Sequence, residues 1–317
     1  MQTLRLIPDD DGIARAAALL AQGECVAIPT ETVYGLAANA RDGAAVARIY
    51  QAKGRPSFNP LIVHVHDLDA ARAIATLPPQ ALTLAHAFWP GPLTMVLPLR
   101  ADAGIASLVT AGLDTIGLRV PAHPVAQALL RRANLPLAAP SANASGRISP
   151  THADHVLAPD GGLDGRIAAT LDAGPCAVGL ESTIIGWPEG RATLLRPGGI
   201  PAERIEAALG QPLARHQADP AAPNAPGQLT SHYAPNAPLR LNAEPRPGET
   251  HLAFGTPGPL SLSAKGDLTE AASRLFDLLR RADALGCPIS VAPIPDHGLG
   301  QAINDRLRRA AAPRPSS

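Results

Sequence analysis

The chain is poor in cysteine and has no long apolar run. Its 317 residues contain three cysteines, Cys25, Cys176 and Cys287, which lie far apart and form no CxxC or Cys/His pattern. Neither a disulfide framework nor a structural zinc site is therefore indicated. No segment approaches the roughly 18 to 20 apolar residues that span a bilayer, and the N-terminus has no signal-peptide pattern. We expect a cytoplasmic protein that makes no membrane contact.

Net charge, aromatic residues and lysine are also scarce. The 27 basic residues are balanced by 27 acidic ones, so net charge provides no general attraction to nucleic acid or anionic membranes. Two tryptophans, three tyrosines and four phenylalanines are too few for a platform on which single-stranded bases stack. Only two of the basic residues are lysines, Lys53 and Lys265, so the lysine at position 53 needs an explanation.

The order of apolar and helical patterns predicts an α/β protein with two domains. Short apolar runs alternate with amphipathic helical patterns over residues 1–209, which is typical of an α/β domain with a mixed sheet. Residues 210–238 are rich in Pro, Ala, Asn and Gln without apolar periodicity, and we interpret them as a semi-rigid linker. Residues 239–317 return to strand and helix patterns and predict a smaller α/β domain.

Two polar segments in the first quarter of the chain are candidates for ligand binding. In IPTETVYGLAANA (28–40), Thr30, Glu31 and Thr32 leave an apolar strand, which suits a small polar ligand or, alternatively, a hydroxyl-rich turn. In YQAKGRPSFNPLIVHV (50–65), Lys53 and Arg55 flank a glycine at the end of a predicted helix. An ammonium beside a guanidinium suits a polyphosphate, and the alternative is a pair of charges at a helix C-terminus.

The next candidates lie on strands. His64 and His66 share one face of a predicted strand, and we retain His64 as a binding candidate because of its neighbours. Arg119 interrupts the apolar strand of LDTIGLRVPAHP, with Thr115 four residues earlier. A strand arginine in apolar surroundings needs an anionic partner, which is either a structural acid or a bound carboxylate.

Two further segments are rich in hydroxyl groups. LAAPSANASGRISPT (137–151) combines serines, Asn143 and a glycine in a loop that can cradle phosphate, the alternative being a flexible serine loop. GLESTIIGW places Glu181 and Ser182 before an apolar strand, and Arg196 ends the next one. Polar residues at the ends of neighbouring strands commonly form the ligand site of an α/β protein.

Several motifs of catalysis are absent. The chain has no Walker loop, no GxGxxG, no HExxH, no GxSxG elbow and no catalytic Cys/His pair. A site with cations, hydroxyls and backbone donors but without a nucleophile favours a reaction between two bound substrates, accelerated by positioning and charge stabilisation.

The ordered segments resemble the YrdC/Sua5 family. The motifs that carry the resemblance are PTETVYGLA, KGRPSFNPL, FWPGPLT, IGLRVPAHP, PSANASGRISPT, ESTII and LRPGGI. SHYAP in the linker, followed by a small α/β domain, is similar to the longer, two-domain Sua5 form. Ala37 stands where the family often has glycine, and the C-terminal domain is short, which leaves its separate role open.

The resemblance implies a fold, an activity and a set of site residues. The fold would be a twisted mixed-sheet YrdC-like domain with an open, positively charged face, followed by a Rossmann-like Sua5 domain. The activity would be L-threonylcarbamoyladenylate synthesis, a nucleotidyl transfer that converts L-threonine, bicarbonate and ATP to threonylcarbamoyl-AMP and pyrophosphate. Motif matching assigns the threonine site to Thr32, His64, Arg119, Ala139 and Ser182. It assigns the ATP site to Arg55, Asn59, Thr115, Ser141, Asn143, Ser149, Arg196 and Tyr233.

The resemblance also implies the catalytic pair, the cofactor and the partners. Lys53 and Arg55 would be the catalytic cations. Mg²⁺ would be held mainly by the ATP phosphates rather than by protein ligands. A separate tRNA threonylcarbamoyl transferase complex would use the product to form t6A at position 37 of ANN-decoding tRNAs. The linker carrying Tyr233 would serve as a lid over the unstable carbamate.

Three alternatives remain open from the sequence. The first is a double-stranded-RNA or tRNA binding module, which the zero net charge and the few aromatic residues disfavour. The second is carbamoyl transfer in hydrogenase maturation, which is associated with zinc-type cysteine clusters and an acylphosphatase-like domain that this chain lacks. The third is a generic nucleotide-binding α/β protein.

Overall fold

A computed structural model describes residues 2–215 and 231–313. Its larger sheet is mixed and has eleven strands in the order β1-β8-β2-β3-β7-β4-β6-β5-β9-β10-β11. These strands are β1 (Leu4–Leu6), β2 (Val26–Ile28), β3 (Gly35–Asn39), β4 (Ile62–His64), β5 (Leu93–Pro98), β6 (Thr115–Arg119), β7 (Leu137–Ala138), β8 (Ala169–Leu171), β9 (Thr183–Gly186), β10 (Thr193–Arg196) and β11 (Ala214–Arg215).

Helices cover the larger sheet. They are α1 (Asp10–Ala21), α2 (Gly43–Lys53), α3 (Leu68–Arg72), α4 (Pro79–Phe88), α5 (Ser107–Thr110), α6 (Pro124–Ala133), α7 (Ala153–Val156) and α8 (Ala202–Leu209). Helix α2 shows how the sequence sets its bounds. Asp42 accepts hydrogen bonds from the backbone N–H groups of Ala44 and Ala45, and Gly54 ends the helix in the left-handed conformation. Lys53 is therefore placed in the last turn, directly before a bend.

A second, smaller sheet follows the segment around Tyr233. Its four strands are parallel, in the order β12-β15-β13-β14. They are β12 (Leu239–Arg240), β13 (Thr250–Phe254), β14 (Ser261–Ser263) and β15 (Ile289–Val291), with helices α9 (Leu268–Asp283) and α10 (Leu299–Ala311). The predicted fold class, a mixed-sheet α/β part followed by a smaller α/β part, is confirmed.

The linker interpretation of residues 210–238 stays a prediction. Of these residues, the range 216–230 lies outside the described part of the chain. On one side of that range, β11 pairs in parallel with β10 of the larger sheet. No helix in residues 2–215 and 231–313 is long and apolar enough to cross a membrane.

The smaller sheet's helices share a hydrophobic cluster with loops of the larger part. Val33, Ile148 and Leu180 pack in one cluster with Tyr233 and with α9 residues such as Phe276. Because these loops also line the candidate site described below, helices α9 and α10 support the site from outside the larger sheet.

A glycine allows the close approach of α9. Gly179 has a φ of +72°, and a Cβ at this position would lie 2.5 Å from the Cα atom of Ser273 and 2.6 Å from its carbonyl oxygen. Both contacts are with backbone of α9, which cannot rotate away as a side chain can. Only glycine therefore fits here.

We expect Gly179→Ala to destabilise the fold by about 2–5 kcal/mol, since it adds a backbone clash to the cost of a left-handed alanine. Gly174→Ala is the matched control, because Gly174 has a φ of +74° and a Cβ added there would meet no atom within 4 Å. The control should cost only about 1–2 kcal/mol. Urea unfolding of both variants measures the difference. If both variants lost the same unfolding free energy, a clash with the α9 backbone would not be the cause of the loss.

Candidate active site

A small cavity lies where β4 and β6 end on the larger sheet. These strands pair in parallel and bring their last residues, His64 and Arg119, side by side. The remaining walls come from the loop after β2, the loop after β7, the starts of β3 and β9, the end of β10, and residues 232–233. The cavity volume is about 60 Å³. Segments that are far apart in the sequence thus converge on one enclosed space.

Nine of the predicted site residues line this cavity. The residues assigned to threonine are all present, namely Thr32, His64, Arg119, Ala139 and Ser182. From the ATP assignment, the cavity contains Arg55, Ser141, Arg196 and Tyr233. The roles of these residues stay predictions, but their proximity follows from the geometry.

Arg119 has a protein carboxylate as its anionic partner. Its Nη2 atom lies 2.7 Å from Oε1 of Glu31, while Nη1 donates to Thr32 Oγ1 at 2.9 Å and Nε donates to the Gly91 carbonyl at 3.3 Å. Of the two partners considered from the sequence, the structural acid is thus present. A guanidinium has five N–H donors, so these three contacts leave N–H groups on Nη1 and Nη2 that need a further acceptor. A ligand carboxylate can supply that acceptor.

The Glu31–Arg119 pair is almost completely removed from water, since their side chains are 11% and 4% exposed. Burial acts to raise the pKa of Glu31, but the attraction of the Arg119 guanidinium outweighs it and the pKa is lowered. Glu31 is therefore charged at neutral pH. The pair places a fixed dipole behind the polar wall that Thr30 and Thr32 form.

Two histidines of the cavity are neutral. Burial lowers the pKa of His64 to about 3, and it lowers the pKa of His232 to about 3. In both rings Nδ1 is buried without a hydrogen-bond partner among the described residues. The rings can therefore accept or donate a hydrogen bond to a ligand without adding charge.

Two further arginines make part of the cavity wall electropositive. Arg55 donates to the carbonyls of Asn59 and Pro60, and Arg196 donates through Nη2 to the Ser182 carbonyl at 2.8 Å and to Ser182 Oγ at 3.2 Å. Burial lowers the pKa of each arginine to about 10, and both remain charged at neutral pH. This wall suits the phosphates of a nucleotide.

Lys53 lies behind the loop after β7 rather than on the cavity wall. Its side chain is 3% exposed, and Nζ donates to the carbonyls of Ser141 and Asn143, each at 2.5 Å. Burial, followed by the repulsion of Arg55, lowers the pKa of Lys53. In this geometry the lysine holds the hydroxyl-rich loop in place, and direct contact with a phosphate stays a prediction.

Four other predicted ATP residues do not line the cavity. Asn143 is used within its own loop, where Nδ2 donates to the carbonyls of Ala144 and Arg147. Ser149 donates to Glu181 Oε1 at 2.5 Å. Asn59 is buried, and its Oδ1 has no partner within the described residues. Thr115 lies on the same strand face as Arg119 and roughly 13 Å from it along the strand.

Arg306 was not predicted from the sequence. It comes from α10, is 1% exposed, and donates through Nε to Glu181 Oε2 at 2.7 Å. Its guanidinium also lies 5.3 Å from the centre of the Tyr233 ring. Nothing in the sequence singled it out, because Arg308 and Arg309 make the helix resemble an ordinary basic amphipathic one. His232 was also missed, although it stands in the SHYAP motif.

The cavity offers no free carboxylate to a metal ion. Glu181 is the only acidic residue among the described residues that line it, and its two oxygens are taken by Ser149 and Arg306. Elsewhere in the described residues, His152, His155 and Asp277 lie close together. There Nδ1 of His155 accepts the Thr151 N–H, so Nε2 bears the proton and faces Asp277. That ring has no free lone pair for a metal.

Comparison with known proteins gives a matching family model for each of the two parts of the chain. A family model for Sua5, YciO and YrdC proteins, described as “Telomere recombination”, matches residues 18–198. A second, described as “Threonylcarbamoyl-AMP synthase, C-terminal domain”, matches residues 200–312.

Individual relatives match over almost the whole chain. The threonylcarbamoyl-AMP synthase of Bacillus subtilis is 43% identical over 98% of this chain and 96% of its own length. The enzyme of the same name from Pyrococcus abyssi is 41% identical over 94% of each chain. The crystal structure of P. abyssi Sua5 complexed with L-threonine superposes with a TM-score of 0.86, covering 98% of each chain at 36% identity. The chain therefore belongs to the YrdC/Sua5 family of threonylcarbamoyl-AMP synthases, in its two-domain Sua5 form.

Proposed function

We propose that the protein synthesises L-threonylcarbamoyladenylate and pyrophosphate from L-threonine, bicarbonate and ATP. The observation that carries the proposal is that one cavity collects two kinds of binding group. Arg119, His64 and the Thr32 hydroxyl can bind a small amino acid, and Arg55 and Arg196 can bind phosphates. Two substrates bound to these groups would meet in the same cavity.

Threonine binding is assigned to the Arg119 wall. The substrate carboxylate would accept from the N–H groups of Arg119 that Glu31, Thr32 and Gly91 leave unused. Glu31 then serves as the permanent counter-charge that makes a buried arginine tolerable before threonine arrives. His64, Thr32, Ser182 and the backbone near Ala139 would bind the remaining polar groups of the amino acid.

The reaction would proceed through a carbamate. The neutral amine of threonine attacks the carbon of bicarbonate or CO₂ to form the carbamate, with loss of water in the case of bicarbonate and loss of a proton to solvent in the case of CO₂. A carbamate oxygen then attacks the α-phosphorus of ATP in line, and the bond to the β-phosphate oxygen breaks to release pyrophosphate. Negative charge grows on the leaving oxygens, where Arg55 and Arg196 can stabilise it. Mg²⁺ bound to the ATP phosphates would neutralise part of that charge.

The catalytic contribution of Lys53 would act through the loop it holds. Because Nζ is bonded to two carbonyls of that loop, Lys53 positions the Ser141 hydroxyl and the neighbouring backbone donors against the phosphates. A shift of the loop by about 1 Å would be costly in such a reaction, since positioning supplies much of the rate.

The segment around Tyr233 would act as a lid. The cavity of about 60 Å³ is far smaller than the roughly 300–1,000 Å³ that a ligand of the size of ATP requires. Tyr233 closes it, with a ring that is 1% exposed and stacks on Phe276 at 5.5 Å. Its φ of +63° is an unfavourable conformation for a bulky residue. Entry of ATP would require this segment to move, and the stored backbone strain favours its release.

The wider role follows from the product. We propose that a tRNA threonylcarbamoyl transferase complex consumes threonylcarbamoyl-AMP to form t6A in ANN-decoding tRNAs, and that the protein works in the cytoplasm. Contact of the protein itself with tRNA would be weak, because the chain carries no net charge.

Pyrophosphate release tests the proposed reaction. With ATP, threonine and bicarbonate all present, we expect one pyrophosphate per threonylcarbamoyl-AMP formed. Omission of threonine, or of bicarbonate by degassing, should reduce release to background, because the nucleophile is then not formed. Serial omission with an enzyme-coupled pyrophosphate assay measures this. Release that persists without either substrate would contradict the proposal.

Substitutions of Lys53 test its positioning role. Lys53→Ala should lower kcat by about tenfold or more and leave the affinity for threonine nearly unchanged, because the loop faces the phosphates. Lys53→Arg should not restore kcat, since a planar guanidinium cannot fit two carbonyls arranged around an ammonium. Lys265→Ala, which changes the other, exposed lysine, is the matched control and should behave as wild type. Equal losses in kcat and in threonine affinity for Lys53→Ala would point to a role in substrate binding instead.

The buried counter-charge can be tested through stability. Glu31→Gln should destabilise the protein at pH 7 by about 3–5 kcal/mol, because it leaves Arg119 buried without a counter-charge. The lowered pKa of Glu31 means that its contribution is present above an unfolded pKa of about 4.3 and is lost as pH falls through the folded pKa below that value. The difference between variant and wild type should therefore shrink below about pH 4.

Asp102→Asn removes one partner of an exposed ion pair with Arg100 and serves as the control, with no measurable change in unfolding free energy expected. Denaturant unfolding at several pH values gives both differences. If Glu31→Gln lost the same amount of unfolding free energy at every pH, the side chain would contribute through packing and not through its charge.

A further inference from the structure

A second cavity lies behind the walls of the first one. It has a volume of about 360 Å³ and is enclosed by the Arg147–Ile148 part of the hydroxyl-rich loop, residues 158–160, the segment that follows Tyr233, and the last turns of α9. The proposed reaction does not use it. Its size is that of a small-molecule site rather than of a water-filled gap.

Two arginines in this cavity have no acidic partner. Within residues 2–215 and 231–313, no carboxylate lies at ion-pair distance from Arg147 or Arg280. Arg280 donates one hydrogen bond through Nη2, to the Ile148 carbonyl, and its Nε is buried without a partner in the described residues. Arg147 donates through Nη1 to the side-chain oxygen of Asn236. Both guanidinium groups thus retain N–H donors beside an open space.

Two acids line the cavity, Asp160 and Asp283, and the oxygens of Asp283 are hydrogen-bonded to other groups. Asp283 accepts the backbone N–H groups of Asn236 and Ala237 at 2.9 and 2.8 Å, and Asp277 faces His155 at 3.4 Å. Asp160 lies on the rim and is exposed to solvent. Burial lowers the pKa of Arg280 to about 10 even with Asp283 and Asp277 nearby, which is the behaviour of an incompletely compensated cation. A bound anion would complete the compensation.

We propose that this cavity is an auxiliary anion site for a small phosphate-bearing ligand, held by Arg147 and Arg280. Paired guanidinium groups match the oxygens of phosphate in charge and in geometry. Free phosphate, pyrophosphate and the phosphate of a mononucleotide share this chemistry.

The site shares two walls with the reaction cavity. The loop that carries Ser141 on one side carries Arg147 and Ile148 on the other, and the segment that carries Tyr233 continues to Asn236. An anion bound by Arg147 and Arg280 joins the loop, the lid segment and α9 through Arg147–Asn236 and Arg280–Ile148. Its binding therefore stabilises the closed arrangement, in which the reaction cavity is too small for ATP, so the anion should weaken ATP binding and ATP should weaken anion binding by the same factor.

Calorimetric titration with inorganic phosphate, pyrophosphate and AMP tests the proposal on the full-length protein. The variants are Arg280→Gln, Arg147→Gln and the charge-conserving Arg280→Lys. Arg281→Gln is the matched control, because Arg281 is the next residue on α9 and is exposed. Binding in the reaction cavity serves as an internal check that each variant is folded.

We expect an additional binding event in wild type and in Arg281→Gln. It should weaken by about tenfold or more in Arg280→Gln and Arg147→Gln and be partly kept in Arg280→Lys, since each lost contact is a charge-assisted hydrogen bond. The probe that gives the tightest event identifies the source of the phosphate group. Identical titrations for all proteins, no additional event with any probe, or equal weakening in Arg281→Gln would each overturn the proposal.

Discussion

The desolvation of positive charge is the constraint on which the site depends. Lys53, Arg119, Arg196 and Arg306 are each between 1% and 5% exposed, so each must be compensated inside the protein. The loop after β7 curls so that two of its carbonyls reach Lys53, and β10 ends where the Ser182 carbonyl can meet Arg196. Compensating these cations therefore shapes the walls of the cavity.

The compensation also links the two sheets. Glu181 stands before β9 of the larger sheet, and its partner Arg306 comes from α10 beside the smaller one. The same arginine lies over the ring of Tyr233, which packs into the hydrophobic cluster of α9 and α10. The smaller part therefore contributes directly to the cavity. It supplies the buried charge of Arg306 to Glu181 and an apolar surface to Tyr233, and both of these residues line the cavity.

The sequence anticipated much of the site because polar residues at strand ends are visible in it. Thr32, His64, Arg119, Ser182 and Arg196 each interrupt or end an apolar run, and a single sheet edge collects such residues. The direction of a side chain in a loop is not visible in this way. Lys53 was predicted as a catalytic cation and Asn143 as an ATP contact, but their hydrogen-bond partners are carbonyls of their own or a neighbouring loop. Which groups these two side chains contact is decided by the path of the backbone around them.

By itself, the sequence determined the α/β class, the family and the chemical character of the residues that line the cavity, because these depend on residue type and order. The tertiary structure alone decided which charges meet. Arg119 could have been paired by a protein acid or reserved for a ligand, and the fold placed Glu31 beside it. No sequence pattern predicted the role of Arg306, because its partner Glu181 is 125 residues away. Pairing across such distances is set by packing, whereas local patterns report only on neighbours within a strand or a helical turn.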